Sequence, residues 1–154
     1  MAYYFFDSSA IVKRYTSEIG TGWVISISDP IAGNFIYLAS ITGVEVVSAI
    51  TRQVLASRIT STDAANEIAK FRHDFINQYR VVEISTALIN RAMSLAEAHA
   101  LRAYDAVQLA ASLIVNDENI AFGLSALTLI SADAALNSAA TAEGLTVEDP
   151  NNYP

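Results

Sequence analysis

Four acidic residues of this chain stand in unusually apolar company. They are Asp7 after YYFF, Glu45 in TGVEVVSAI, Asp105 in RAYDAVQLAAS and Asp133 in LTLISAD. Each has an ordinary explanation. Asp7, Asp105 and Asp133 fall near helix starts, where a carboxylate accepts free N–H groups and meets the favourable end of the helix dipole. Glu45 could lie on a solvated helix face with Ser48 and Arg52. Jointly these explanations weaken, because two of the acids follow strand-like runs and two lie on nearly uncharged helical segments. Burying four carboxylates without partners is prohibitive, so a buried cluster needs cations. An all-oxygen set selects a hard ion such as Mg²⁺ or Mn²⁺ rather than zinc. Glu67, Asp74, Glu83, Glu97, Asp117, Glu118, Glu148 and Asp149 read instead as members of polar faces, turns or the tail.

Other chemistries are poorly provided for. With no cysteine there is no disulfide, thiolate ligand or cysteine nucleophile. The six glycines are scattered and form no phosphate-cradling loop. His73 and His99 make no HExxH pair and read as helix-surface residues. Ser8 or Ser9 as a nucleophile lacks a neighbouring base motif. Lys13 and Arg14 follow Asp7 by nearly two turns, and read either as a solvated face or as phosphate contacts. The formal charge of −7 counts against a broad electrostatic grip on nucleic acid. It leaves room for phosphodiester chemistry, since bound divalent cations reverse the sign of a local acidic pocket.

The elements that must position these acids follow from pattern. A chain of 154 residues, 53% hydrophobic and 16% charged, is expected to form one domain with a substantial core. Its uncharged stretches are too short to span a bilayer, and no basic segment precedes the first apolar run. A cytoplasmic protein is expected. Tyr3 to Phe6 reads as a buried strand, with Asp7 at its C-terminal end, where open α/β sheets place their ligand crevices. Ser8 to Tyr15 reads as helical, Trp23 to Ser28 as a short helix or strand stopped by Asp29-Pro30, and Asn34 to Ser40 as a second strand. Helices are predicted from Thr42 to about Ala56 and from a Thr60/Asp63 capping box to about Tyr79. A strand at Arg80 to Ser85 precedes helices at Thr86 to Ala100 and Tyr104 to Asn116. A strand at Leu127 to Ser131, a helix at Asp133 to Glu143 and an edge strand near Val147 complete the pattern. Strands alternating with helices imply an α/β fold with a largely parallel sheet covered on both faces.

Several blocks of the sequence match a known family in order. FFDSSAIVKRYTSEIG, GVEVVSAITR, YDAVQLAAS, LISADAALNSAA and EGLTVEDP together span nearly the whole length. In these blocks the chain resembles the PIN-domain ribonucleases, and within them the VapC-like toxins of toxin–antitoxin modules. The resemblance implies a single PIN-like domain over residues 1–154, a three-layer sandwich whose central, mostly parallel sheet of four to five strands is flanked by helices. It implies that Asp7, Glu45, Asp105 and Asp133 converge at the C-terminal edge of that sheet as the catalytic set. Asp7, Asp105 and Asp133 would be metal ligands, and Glu45 a ligand or water-orienting base. Ser9 and Ser131 match the hydroxyls that support the first and last acids. Ala134 and Ala135 stand where many relatives carry a further acid, so a second metal site would rely on Asn137 or water.

The function expected on this basis is Mg²⁺- or Mn²⁺-assisted hydrolysis of RNA phosphodiesters, with Lys13, Arg14, Arg52 and Arg102 as candidate phosphate contacts. An antitoxin with a basic segment and a homodimer are the expected partners, and no membrane is. The alternative is a non-catalytic PIN-like interaction module that docks a basic peptide on its acidic pocket. An aspartate-nucleophile phosphatase also begins with a strand ending in Asp, but needs a second acid two residues later, where Ser9 stands.

Overall fold

The computed structural model describes residues 1–154 and contains one five-stranded sheet in the order β3-β2-β1-β4-β5, every pairing parallel. The strands are β1 Tyr3–Phe6, β2 Phe35–Ala39, β3 Arg80–Val82, β4 Thr128–Ile130 and β5 Thr146–Glu148. The helices are α1 Ser8–Ile11, α2 Thr21–Ser28, α3 Ser40–Leu55, α4 Ser61–Asn77, α5 Thr86–His99, α6 Ala103–Ala121 and α7 Ala134–Ala142. Short 3₁₀ turns follow α1, α2 and β5.

Period-two alternation divides the central strand between two cores. Phe5 packs into a cluster with Leu88, Leu109, Leu129 and Leu136, on the side covered by α5, α6 and α7. Phe6 points the other way, into a cluster with Ile11, Ile36, Ile50, Phe71 and Ile130 under α1, α3 and α4. Both phenylalanines are fully buried. Burial of each contributes up to about 3 kcal/mol relative to exposure. β1 is therefore held from both faces and both edges, and the residue after it inherits that rigidity. No helix is long and apolar enough to cross a membrane.

Local chemistry accounts for most boundaries. Gly20 adopts φ 87°, and a Cβ there would lie 2.3 Å from the Pro150 carbonyl oxygen, so only glycine lets the C-terminal 3₁₀ turn close against α2. Trp23 of α2 stacks on Tyr153 with ring centroids 4.2 Å apart, and the ambiguous Trp23 to Ser28 segment is helical. Thr60 Oγ1 accepts the Asp63 N–H at 3.1 Å, so α4 starts where the capping pattern predicts. β3 is shorter than its predicted range, because Ser85 turns out of the sheet to cap α5 by accepting the Leu88 N–H. α6 runs five residues beyond the predicted Asn116, to Ala121. Asp117 and Glu118 are exposed on its outer face, and Asp117 accepts from Arg91 at 2.7 Å. Asp74 is not a surface acid: it is half-buried and accepts the Tyr15 hydroxyl at 2.6 Å.

Candidate active site

The backbone of Asp7 continues the β1–β4 ladder, its N–H donating to the Ile130 carbonyl at 3.1 Å. Its carboxylate then folds over the start of α1, where Oδ1 accepts the Ala10 N–H at 3.2 Å and the Ser9 hydroxyl at 2.7 Å. Asp7 is thus a helix cap, yet only 3% of its surface is exposed. Burial pushes its carboxyl from 3.8 up to about 7. Hydrogen bonds from Ser9, Ala10 and Ser131 pull it back down, and the charge of Glu45 adds to the rise. Capping and chemistry are compatible here, because the cap uses only one carboxylate oxygen.

Glu45 lies in the second turn of α3, the helix that leaves the C-terminal end of β2. The alternative that puts it on a solvated helix face does not hold. Ser48 and Arg52 are exposed, whereas Glu45 is half-buried with both oxygens engaged. Oε2 accepts from Ser8 at 2.9 Å, and Oε1 accepts from Gln108 Nε2 at 2.9 Å. The same Nε2 donates to Thr42 Oγ1 at 2.8 Å.

Asp105 is half-buried in the first turn of α6. Desolvation raises its pKa, the charges of Asp133 and Glu45 raise it further, and Arg102 opposes them. Asp133 follows β4 and caps α7, with Oδ1 accepting the Leu136 N–H at 2.9 Å. Its own N–H donates to Ser131 Oγ at 3.1 Å. Ser131 is fully buried, and its carbonyl accepts from Asn137 Nδ2. The loop after β4 is tied to the loop after β1 by Ser9, whose hydroxyl oxygen accepts the Ala132 N–H at 2.9 Å.

All four acids therefore come from the segments that leave the C-terminal ends of β1, β2 and β4, or from the start of α6 beside them. They lie in one another's fields pairwise, Asp7 with Glu45 and Asp105 with both Asp133 and Glu45. No group of three acidic or histidine side chains is spaced to enclose one ion, so the convergence is looser than a closed cage. The donor set nevertheless suits a hard cation. It offers carboxylate oxygens only, and Mg²⁺ is held by one or two carboxylates while keeping several waters.

The basic residues divide. Lys13 is 5% exposed and pairs with Glu18 at 3.2 Å. Arg14 Nη1 donates to the Ser28 carbonyl at 2.6 Å and hydroxyl at 2.8 Å, with Asp74 3.8 Å from its Nε. Neither forms a solvated face, and both charges are paired inside the fold. Arg52 and Arg102 are exposed and make no ion pair. His73 is exposed beside Asp74, and His99 bonds Glu143 at 2.7 Å.

The sequence comparison decides the family. Ribonuclease VapC45 of Mycobacterium tuberculosis strain CDC 1551 / Oshkosh is 33% identical over 117 residues, covering 75% of this chain and 78% of the relative. Ribonuclease VapC49 of strain ATCC 25618 / H37Rv matches to the same extent. The chain belongs to the VapC ribonuclease family. No family model matches it. The VapC fold is shared with PAE2754 from Pyrobaculum aerophilum, at TM-score 0.63 and 17% identity over 98% of this chain and 91% of the other. VapBC2 from Rickettsia felis, solved bound to a DNA fragment from their promoter, aligns at 0.58 and 14% identity, covering 96% and 98%. FitAcB from Neisseria gonorrhoeae aligns at 0.52 and 17% identity, covering 96% and 97%.

Three residues of the hydrogen-bond network around Glu45 were not legible from the sequence: Ser8, Thr42 and Gln108. Gln108 left one trace, as the lone amide in the run AVQLAAS, one turn after Asp105. Ser8 was visible only as a nucleophile without a base.

Proposed function

We propose that the protein is the metal-dependent endoribonuclease toxin of a toxin–antitoxin pair. The observation that carries this reading is the arrangement of Asp7, Glu45, Asp105 and Asp133 at one end of the sheet, in a chain whose relatives are ribonucleases. Asp7, Asp105 and Asp133 would hold Mg²⁺ or Mn²⁺, with Glu45 as a further ligand or as the base that orients the attacking water. A bound cation supplies a water of lowered pKa and positive charge for the phosphate oxygens in the transition state. The protein's own contribution is preorganisation. Ser9 and the Ala10 N–H leave the second oxygen of Asp7 free of the cap, and the α7 N-terminus does the same for Asp133. Ser131 fixes the loop that presents Asp133. Arg52 and Arg102, exposed and unpaired, are available to RNA phosphates, which suits a chain whose net charge gives no broad attraction to RNA.

The partner proposed is an antitoxin that inserts a basic segment beside the carboxylates, where an Arg or Lys gains charge-assisted hydrogen bonds. A homodimer is proposed as the working unit, and a cysteine-free chain suits the cytoplasm. The test is incubation of the purified protein with end-labelled single-stranded RNA in Mg²⁺, in Mn²⁺ and in EDTA. Discrete cleavage products that disappear in EDTA support the reading. Intact RNA under all three conditions, with a basic antitoxin peptide still bound, would favour the docking module instead.

A further inference from the structure

Gln108 is 1% exposed, inside a helix otherwise lined at that level by Ala106, Leu109 and Ala110. Its Nε2 divides its hydrogens between Thr42 Oγ1 at 2.8 Å and Glu45 Oε1 at 2.9 Å. Its Oε1 is buried and has no hydrogen-bond partner. The empty acceptor makes the amide costly on its own account, because its oxygen gives up water without gaining a partner. What the amide offers in return is its nitrogen, which serves Glu45 and Thr42. A carboxylate only accepts, so the amide must turn its nitrogen to Glu45, and Thr42, itself fully buried, takes the second hydrogen and fixes the plane of the group. Ser8 holds the other oxygen of Glu45. Glu45 is therefore strung between the residue after Asp7 and the residue one turn beyond Asp105.

We propose that Gln108, braced by Thr42, is a positioning residue that sets the orientation of the Glu45 carboxylate for RNA cleavage. The proposal rests on Glu45 taking part in the reaction proposed above. Gln108 itself touches neither RNA nor the scissile phosphate, so it acts through Glu45 on the transition state, and substrate affinity is not its concern.

The experiment compares wild type, Gln108→Leu, Thr42→Val and Glu45→Ala on one RNA oligonucleotide in Mn²⁺, reading kcat and KM separately, with thermal melting of each protein in EDTA. Gln108→Leu is expected to lower kcat 10- to 100-fold at unchanged KM, with a lowered melting temperature because Thr42 and Glu45 lose their shared donor. Thr42→Val, which removes only the brace, is expected to lower kcat by a smaller factor, again without a change in KM. A lower melting temperature with kcat unchanged would make Gln108 merely structural and overturn the proposal. Should Gln108→Leu fail to fold, Thr42→Val decides: wild-type kcat there also overturns it. A Glu45→Ala protein that cleaves like wild type would instead remove Glu45 from the reaction. Slow Glu45→Ala beside wild-type rates in the other two variants would sink the positioning role alone.

Discussion

The Ser9 hydroxyl donates to Asp7 Oδ1 at 2.7 Å while accepting the Ala132 N–H at 2.9 Å. One side chain thus joins the acid that ends β1 to the loop that carries Asp133 from β4. Ser9→Ala removes both bonds and strands the Ala132 N–H. A stability loss of about 1–3 kcal/mol is expected in urea unfolding. RNA cleavage is expected to fall 10- to 100-fold, as for other groups that orient site carboxylates. Wild-type cleavage by the alanine variant would show that the link between the two loops is dispensable.

Asp7 gives the metal-free protein a characteristic pH dependence. Its folded-state pKa is raised from 3.8 to about 7, so between these values the folded chain holds a proton that the unfolded chain has lost. Stability is therefore greatest below about pH 4, as far as this group is concerned, and falls as pH rises to about 7. At about 1.4 kcal/mol per unit the swing is at most about 4 kcal/mol. Asp7→Asn cannot ionise and is expected to flatten the curve, becoming more stable than wild type at pH 8 in EDTA. Parallel stability curves for the two proteins between pH 4 and 8 would contradict the burial of an uncompensated carboxylate.

A separate network serves the fold and not the chemistry. Tyr15, Tyr79 and Asp74 join the first 3₁₀ turn to α4 and β3, and both tyrosines are almost fully buried. Burial pushes the Tyr79 hydroxyl up to about 12, so it stays protonated throughout the working range. Tyr79→Phe is expected to cost about 1–3 kcal/mol in stability with cleavage unchanged at 25 °C. A variant that remains folded yet loses cleavage would extend the active site to this network.

Much of this organisation was legible because period and punctuation agree. YYFF, NFIYLAS and LTLIS are short apolar runs bounded by polar clusters, and each contains a parallel strand. The acids were legible because a charge in an apolar run is costly and so stands out. What stayed hidden depends on partners distant in sequence. Lys13 and Arg14 look like a solvated pair until Glu18, Ser28 and Asp74 fold around them. Asp74 looks like any acid on an amphipathic helix, because Tyr15, 59 residues away, gives no local sign of reaching it. Gln108 carries no charge and interrupts no periodicity. The end of α6 was missed because Asp117 and Glu118 suggest a turn, whereas on the outer face of a long helix they are simply solvated.

Metal binding should appear as stability. Wild type is expected to gain about 2.7 kcal/mol when free Mn²⁺ reaches about one hundred times its dissociation constant. Asp105→Asn keeps the first-turn polar group but removes a carboxylate that feels both Asp133 and Glu45. It is expected to lose most of that gain in thermal melts. An equal gain in both proteins would exclude Asp105 from the cation's ligands.

Cleavage by Asp7→Asn is the most direct measurement. Asn caps a helix about as well as Asp, so the substitution spares the start of α1 while removing one charge from the acid set. Under single-turnover conditions in Mn²⁺, wild type is expected to cut single-stranded RNA, and Asp7→Asn to leave it intact while melting no lower than wild type in EDTA. Cleavage by the folded variant at the wild-type rate would contradict the assignment of Asp7, and with it the four-carboxylate site.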